Sequence, residues 1–265
     1  MNIVDDAGRE QYAAAGFLRL ENAVPEQEIE RVLAIVQRLF AQRAGQSRGD
    51  FLDLAGDDSD AERAVLPQIL MPVKYAPELA EGTLRPCAER IARALLGEGL
   101  QYEGEHVIAK PPFGPATPLH QDEAFWSETV DYTSLSIWFP LHPVSARNGS
   151  ICFVPGSHTR GVLPHHSVDN DVTKNGIEID GAGTFAPVPM ELPPGGATVH
   201  HCRTIHGALA NSTGETRYAY IFGFGLPAVP AADRRNHYWL HEKRLLRAER
   251  ARTEQFELTK MRPEF

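Results

Sequence analysis

Ser134-Leu135-Ser136-Ile137-Trp138-Phe139-Pro140-Leu141 alternates, with apolar residues at every odd-numbered position and Ser134, Ser136 and Trp138 sharing the other face. A period of two puts successive side chains on opposite sides of a pleated strand. The stretch therefore predicts a strand with one core face and a second face able to carry a site. Downstream, Asn148-Gly149 is a turn signal, and Ser150-Ile151-Cys152-Phe153-Val154 reads as another short strand before Pro155-Gly156-Ser157-His158. Upstream, the period becomes that of strands from about Gln101. Val107-Ile108-Ala109-Lys110 leads into Pro111-Pro112, and a Gly/Pro/Thr loop then delivers Leu119-His120. Pro193-Pro194-Gly195-Gly196 turns the chain into a strand over 197–202, and Arg217-Tyr218-Ala219-Tyr220-Ile221-Phe222 is a further, aromatic strand. Many short strands separated by tight turns predict a sandwich or barrel rather than βαβ units.

The flanks read differently. Residues 5–15 carry helix formers and end at Gly16-Phe17, before the short alternation Leu18-Arg19-Leu20. Pro25 precedes Ile29, Val32, Leu33, Val36, Leu39 and Phe40 at helical spacing, and a further helix is expected from Pro77 to Leu96. Residues 45–62 hold Gly45, Gly49 and Gly56 among Asp50, Asp53, Asp57, Asp58, Asp60 and Glu62, which predicts a mobile acidic loop or lid. The segment 159–187 has little periodicity and reads as a long insertion able to wall a pocket. After Pro230, Arg234, Arg235, Lys243, Arg244, Arg247, Arg250 and Arg252 interleave with Glu242, Glu249, Glu254 and Glu257, the pattern of a solvated amphipathic helix. The fold class expected is mainly β with flanking helices (α+β), as one domain over 1–265. Helical support would span about 1–100, a β core about 101–226 and a helical extension about 230–265.

With 265 residues and 42% hydrophobic content, the chain can bury a sizeable core. A formal net charge of −9 provides no electrostatic footprint for nucleic acid or an anionic membrane. No signal-like start and no run long enough to span a bilayer is present, and Cys87, Cys152 and Cys202 are odd in number and widely spaced. A reducing, cytoplasmic setting is expected.

His120-Gln121-Asp122 places a nitrogen and a carboxylate on one side of an extended segment. Alone, such a pair is usually a surface contact or a capped turn. Far downstream stands His206, followed by Gly207, and eleven residues after it Arg217 opens the aromatic strand. Two histidines and one carboxylate make the facial triad that leaves open positions on non-haem iron(II) for a co-substrate and O2. His165, His166, His200 and His201 compete for the third position, but only His206 has the following glycine and the arginine at that distance. An arginine inside a barrel requires a carboxylate partner, and Ala219, Ile221, Gly223 and Gly225 leave room on its face.

These residues, with Ala15-Gly16-Phe17, Lys110-Pro111-Pro112, Pro118-Leu119-His120-Gln121-Asp122, Asn148-Gly149-Ser150, Pro155-Gly156-Ser157-His158 and Asn211, resemble the phytanoyl-CoA dioxygenase family of iron(II)- and 2-oxoglutarate-dependent oxygenases. The resemblance covers roughly residues 10–226. It implies a double-stranded β-helix (jelly-roll barrel), iron bound by His120, Asp122 and His206, and 2-oxoglutarate held at its distal carboxylate by Arg217. It further implies that Trp138 lines the same pocket and that His106 contacts the co-substrate. Gly196 and Ala208 depart from the family pattern, which has aspartate and a hydroxyl there, and neither touches the metal set. Halogenating relatives carry a small residue in place of the carboxylate, so Asp122 implies hydroxylation of an unactivated C–H bond, coupled to conversion of 2-oxoglutarate to succinate and CO2.

The substrate expected is small, polar or modestly apolar and without a CoA handle. Glu123, Phe125, Trp126, Tyr132, Arg160 and His165 are candidate contacts, and neither nucleic acid nor membrane is expected as a partner. A cupin-like hydrolase, isomerase or sensor that ignores 2-oxoglutarate is the alternative, and Arg217 discriminates between the two.

Overall fold

The computed structural model describes residues 3–56 and 64–244. Helix α1 (Asp6–Ala15) is capped by Asp5, which accepts from the Gly8 amide at 2.8 Å, and stops at Gly16, whose φ of 81° favours glycine. A Cβ there would also collide with the His158 ring. Strand β1 (Phe17–Leu20) follows, then α2 (Glu26–Ala41), which buries Ile29, Val32, Ile35, Val36 and Leu39. Two strands come next, β2 (Phe51–Asp53) and β3 (Pro67–Leu70).

The first of these corrects the expected mobile loop. Asp53 is buried and accepts from the Val65 and Leu66 amides at 2.7 and 2.8 Å, while Asp50 accepts from the Tyr75 hydroxyl at 2.6 Å. Carboxylates that read as solvated thus hold two backbone amides and a tyrosine hydroxyl. Asp57, Asp58, Asp60 and Glu62 lie outside the described residues.

The helix expected from Pro77 is divided into a 3-10 turn over Pro77–Glu81 and α3 (Leu84–Leu96). The Glu28 carboxylate explains the restart, since its Oε1 accepts from the Thr83 and Leu84 amides at 2.7 and 3.1 Å, satisfying donors that a new helix leaves open. The chain then runs through β4 (Gln101–Lys110), β5 (Thr117–His120), β6 (Val130–Asp131), β7 (Ser134–Pro140) and β8 (Ile151–Phe153). It continues with β9 (His165–Ser167), β10 (Ile177–Ile179), β11 (Val188–Pro189), β12 (Ala197–His201) and β13 (His206–Ala208). Strands β14 (Arg217–Gly225) and β15 (Val229–Pro230) and the short helix α4 (Tyr238–His241) complete it.

The fold is mainly β, with antiparallel sheets and few helices. A seven-stranded sheet has the order β1-β12-β7-β14-β4-β3-β2, and a four-stranded sheet the order β11-β8-β13-β5. The N-terminal third therefore supplies both edges of the large sheet as well as helices. On β7, Leu135, Ile137 and Phe139 are fully buried in the core cluster shared with α2 and α3, each contributing about 1.5–3 kcal/mol by burial. The opposite face sends Trp138 against Ile151 and Phe153 of the smaller sheet. The alternation of one strand thus separates the helix-facing core from the space between the sheets.

Residues 159–187 are more ordered than expected, because β9 and β10 pair as a hairpin with Ile177 and Ile179 buried. Three residues per strand are too few for a periodic signal. His165, a candidate substrate contact, is fully buried here. Its Nδ1–H donates to Leu163 O at 2.7 Å and its Nε2 accepts the Gln121 amide at 3.2 Å, so only the neutral ring satisfies both. Burial pushes its pKa down to about 4. The unfolded value is about 6.5. The contribution is thus present above pH 6.5 and lost as pH falls toward 4, by about 3 kcal/mol. Denaturant titrations should show His165→Leu, although less stable, with a shallower loss than wild type between pH 6.5 and 4.

Of the C-terminal extension, α4 is described, and Arg247, Arg250 and Arg252 lie outside the described residues. Arg234 Nε donates to Glu128 Oε1 at 2.6 Å, and Arg235 pairs with Glu123 and Asp131. Arg234 and Arg235 are thus tied to carboxylates of the fold. No helix among the described residues is long and apolar enough to cross a membrane.

Candidate active site

Gln121 is fully buried and fully used. Its Nε2 donates to Gly161 O and Arg203 O, both at 2.7 Å, and its Oε1 accepts from the Leu163 amide at 2.8 Å. With the middle residue anchored outward, His120 at the end of β5 and Asp122 at the start of a 3-10 turn face the space between the sheets. His206 on β13 pairs directly with His120, and the two rings lie 4.3 Å apart. Gly207 permits this approach, since a Cβ there would sit 2.6 Å from Thr117 O. Ser157 aligns the same segment, its Oγ accepting the Ile205 amide at 2.8 Å.

One donor atom each from His120, Asp122 and His206 falls within 4.8 Å of the others, a group that could hold a metal ion. Nδ1–H of His120 donates to Pro118 O at 2.8 Å and that of His206 to Thr204 O at 2.9 Å, which turns both Nε2 atoms toward the centre. These nitrogens stand 3.9 and 3.5 Å from Asp122 Oδ1. Ser136 Oγ donates to Asp122 Oδ2 at 2.8 Å. Burial lowers both imidazole pKa values, His206 most, so the rings are neutral donors. Burial pushes the Asp122 carboxyl up, but the charge of any imidazole that takes a proton beside it, His206 first, outweighs burial and holds the group well below the carboxylate range.

A third imidazole belongs to the site. His200, 3% exposed, lies 4.2 Å from His206, and its Nε2 is 3.3 Å from Asp122 Oδ2 without forming an aligned hydrogen bond. His201 turns away and accepts the Arg203 amide at 3.0 Å. The signal was the pairing of β12 with β7, which sets His200 opposite Ser136.

Arg217 is 3% exposed at the start of β14, with its guanidinium carbon 5.3 Å from the Trp138 ring centre. Its Nε and Nη1 have no hydrogen-bond partner, and burial lowers its pKa to about 10. Lys110 beside it is satisfied, donating to Pro115 O, Leu209 O and Thr117 Oγ1 at 2.6, 3.0 and 3.3 Å. A cavity of about 620 Å³ joins Arg217, Trp138 and His106 to the triad and to His200. Burial lowers the His106 pKa to about 4.

The candidate substrate contacts divide. Phe125 and Trp126 line the cavity, and Tyr132 packs edge-on to Trp126 at 4.9 Å. Glu123 does not face substrate. It is fully buried and gripped by Arg203 at 2.6 and 3.0 Å and by Arg235, so its charge is neutralised inside the fold. Arg160 is exposed outside the cavity lining. Lining residues not anticipated include Leu52, Leu54, Met71 and Glu103.

A His/Asp/His group opening onto a cavity with an unpartnered arginine, within antiparallel sheets, defines the class of iron- and 2-oxoglutarate-dependent oxygenases. Residues 12–219 match the phytanoyl-CoA dioxygenase (PhyH) family, and the chain belongs to it. It is 25% identical to a probable alpha-ketoglutarate-dependent hypophosphite dioxygenase of Stutzerimonas stutzeri, over 81% of this chain and 76% of that one. It is 26% identical to an ectoine dioxygenase of Bordetella bronchiseptica, over 76% and 69%. Among solved structures, EvdO2 from Micromonospora carbonacea var. aurantiaca, complexed with 2-oxoglutarate, superposes with a TM-score of 0.75 at 32% identity, covering 91% of this chain and 99% of that one. The chain is an enzyme of this class, with iron and 2-oxoglutarate as its cofactor and co-substrate.

Proposed function

We propose that the chain is a single oxygenase domain, a double-stranded β-helix, that hydroxylates an unactivated C–H bond of a small molecule while 2-oxoglutarate becomes succinate and CO2. His120, Asp122 and His206 hold iron(II), and Arg217 takes the distal carboxylate of 2-oxoglutarate with Trp138 and His106 beside it. The observation that carries this reading is Arg217, whose buried guanidinium presents two unpartnered nitrogens to the cavity that also holds the triad. A cupin-like hydrolase or sensor has no use for such a group, because a buried unpaired cation costs several kcal/mol without a ligand.

Iron with 2-oxoglutarate and O2 supplies the oxidising power. The protein supplies position. Hydrogen bonds from His120 and His206 to backbone carbonyls fix their tautomers, and Ser136 holds one Asp122 oxygen while the other is turned toward the two Nε2 atoms, where it would ligate iron(II). No protein acid or base is assigned, and the carbon oxidised is set by how the cavity orients the substrate. At about 620 Å³ the cavity suits a ligand of modest size rather than a buried CoA ester. The buried thiols Cys87, Cys152 and Cys202 fit a reducing, cytoplasmic setting.

Succinate release by the iron-loaded protein against a panel of small molecules tests the reading. Substrate-stimulated succinate formation that requires both iron and 2-oxoglutarate is expected, and metal-dependent turnover indifferent to 2-oxoglutarate would favour the hydrolase or isomerase alternative.

A further inference from the structure

Strand β4 contains an irregularity with a chemical consequence. Pairing with β14 runs in step from Lys110 opposite Arg217 to Gly104 opposite Gly223, then jumps to Tyr102 opposite Phe224, leaving Glu103 as an extra residue. Gly104 has φ of 131°, which glycine tolerates and other residues rarely adopt. Strict alternation would send Glu103 to the helix-facing side with Val107. The bulge redirects it into the cavity, where its Oε2 accepts from Ser134 Oγ on the site face of β7. Space has been left for it, because a Cβ on Gly225 would collide with Glu103 Oε1 and one on Gly223 would lie 3.6 Å from its Cβ.

This carboxylate has no cationic partner among the hydrogen bonds and ion pairs of the described residues, unlike Glu123 and Glu128, which arginines hold. Arg217 stands six residues along β14 from Gly223, about 20 Å at strand rise. Ser136, the partner of Asp122, pairs with Gly223 itself. The cavity is therefore polarised, with its cation at one end and a second carboxylate close to the triad at the other. An anionic group placed there would meet Glu103 and Asp122 together.

We infer that Glu103 is a substrate-specificity residue that receives a hydrogen-bond donor of the substrate, a hydroxyl or an ammonium group, and excludes carboxylates, phosphates and small oxyanions from the substrate end of the cavity. The inference rests on the oxygenase reading, which assigns the Arg217 end to 2-oxoglutarate. Trp126 and Phe125 in the same lining supply apolar area for the carbon frame.

The test uses the full chain loaded with zinc in place of iron and saturated with 2-oxoglutarate. Ligand-observed NMR then screens size-matched polyols, primary amines and carboxylates. Binders are expected among the polyols or amines and not the carboxylates. Glu103→Leu should weaken them by about 10- to 100-fold, the range for a charge-assisted hydrogen bond. Glu103→Gln separates the two donor types, since an amide oxygen still accepts from hydroxyls, leaving polyol binding within a few-fold, but weakens ammonium binding at least about tenfold. Enrichment of carboxylates, absence of enrichment in either donor class, or binders indifferent to Glu103→Leu would each overturn the inference. The wild-type samples also report 2-oxoglutarate binding. Its failure would sink the oxygenase reading, whereas intact 2-oxoglutarate binding with any of those three outcomes sinks the present inference alone.

Discussion

Alanine at His120, Asp122 or His206 is expected to abolish iron-dependent turnover of 2-oxoglutarate, a loss larger than the roughly 10- to 100-fold typical of removing an outer partner of a metal ligand. Each change deletes one of three donor atoms that stand within 4.8 Å of one another, and two donors cannot hold the metal in a facial arrangement. Ser136→Ala provides the graded comparison, because it removes only the hydrogen bond at 2.8 Å that orients Asp122 and should fall in that 10- to 100-fold range. His200→Ala and His201→Ala should retain iron. Metal titration of the five histidine and aspartate variants checks the assignment, and iron lost from His200→Ala but kept by His206→Ala would move the third ligand to β12.

Arg217→Met is expected to change two properties in opposite directions. The folded protein without ligand should gain about 1–3 kcal/mol, because a buried, unpaired guanidinium is replaced by an apolar chain of similar length. Affinity for 2-oxoglutarate should fall by about 2–5 kcal/mol, the usual cost of removing one member of a buried, hydrogen-bonded charge pair. Arg217→Lys keeps the charge and loses the planar fork, so a smaller loss of about 1–3 kcal/mol is expected with iron still bound. Denaturant unfolding without ligand and co-substrate titration measure the two quantities separately. A destabilised Arg217→Met protein with unchanged 2-oxoglutarate affinity would show that the arginine serves the fold instead.

Several motif residues that carried the family resemblance prove to hold backbone rather than ligand. Asn211 donates to Pro111 O and Glu215 O at 2.9 and 2.7 Å, Asn148 accepts the Ser145 amide at 2.8 Å, and Ser157 holds the segment entering His206. They bring distant segments to the site. Their spacing in sequence is therefore specific even though none lines the cavity.

What the sequence determined by itself lies within single elements. Alternation in 134–141 and 217–225 separated a helix-facing core from a site face, and two-residue spacing put His120 and Asp122 on one side. Local backbone period sets such faces, so neighbouring residues suffice to read them. Whatever depended on which strand lies beside which was decided only by the tertiary structure. His200 enters the site because β12 pairs with β7, and Glu123 leaves it because Arg203 and Arg235, 80 and 112 residues away, converge on its carboxylate. β2 becomes cavity wall rather than lid because β3 joins it to β4. Glu103 reaches the cavity because one extra residue is accommodated opposite β14, and a slip of one residue reverses the face of every side chain beyond it.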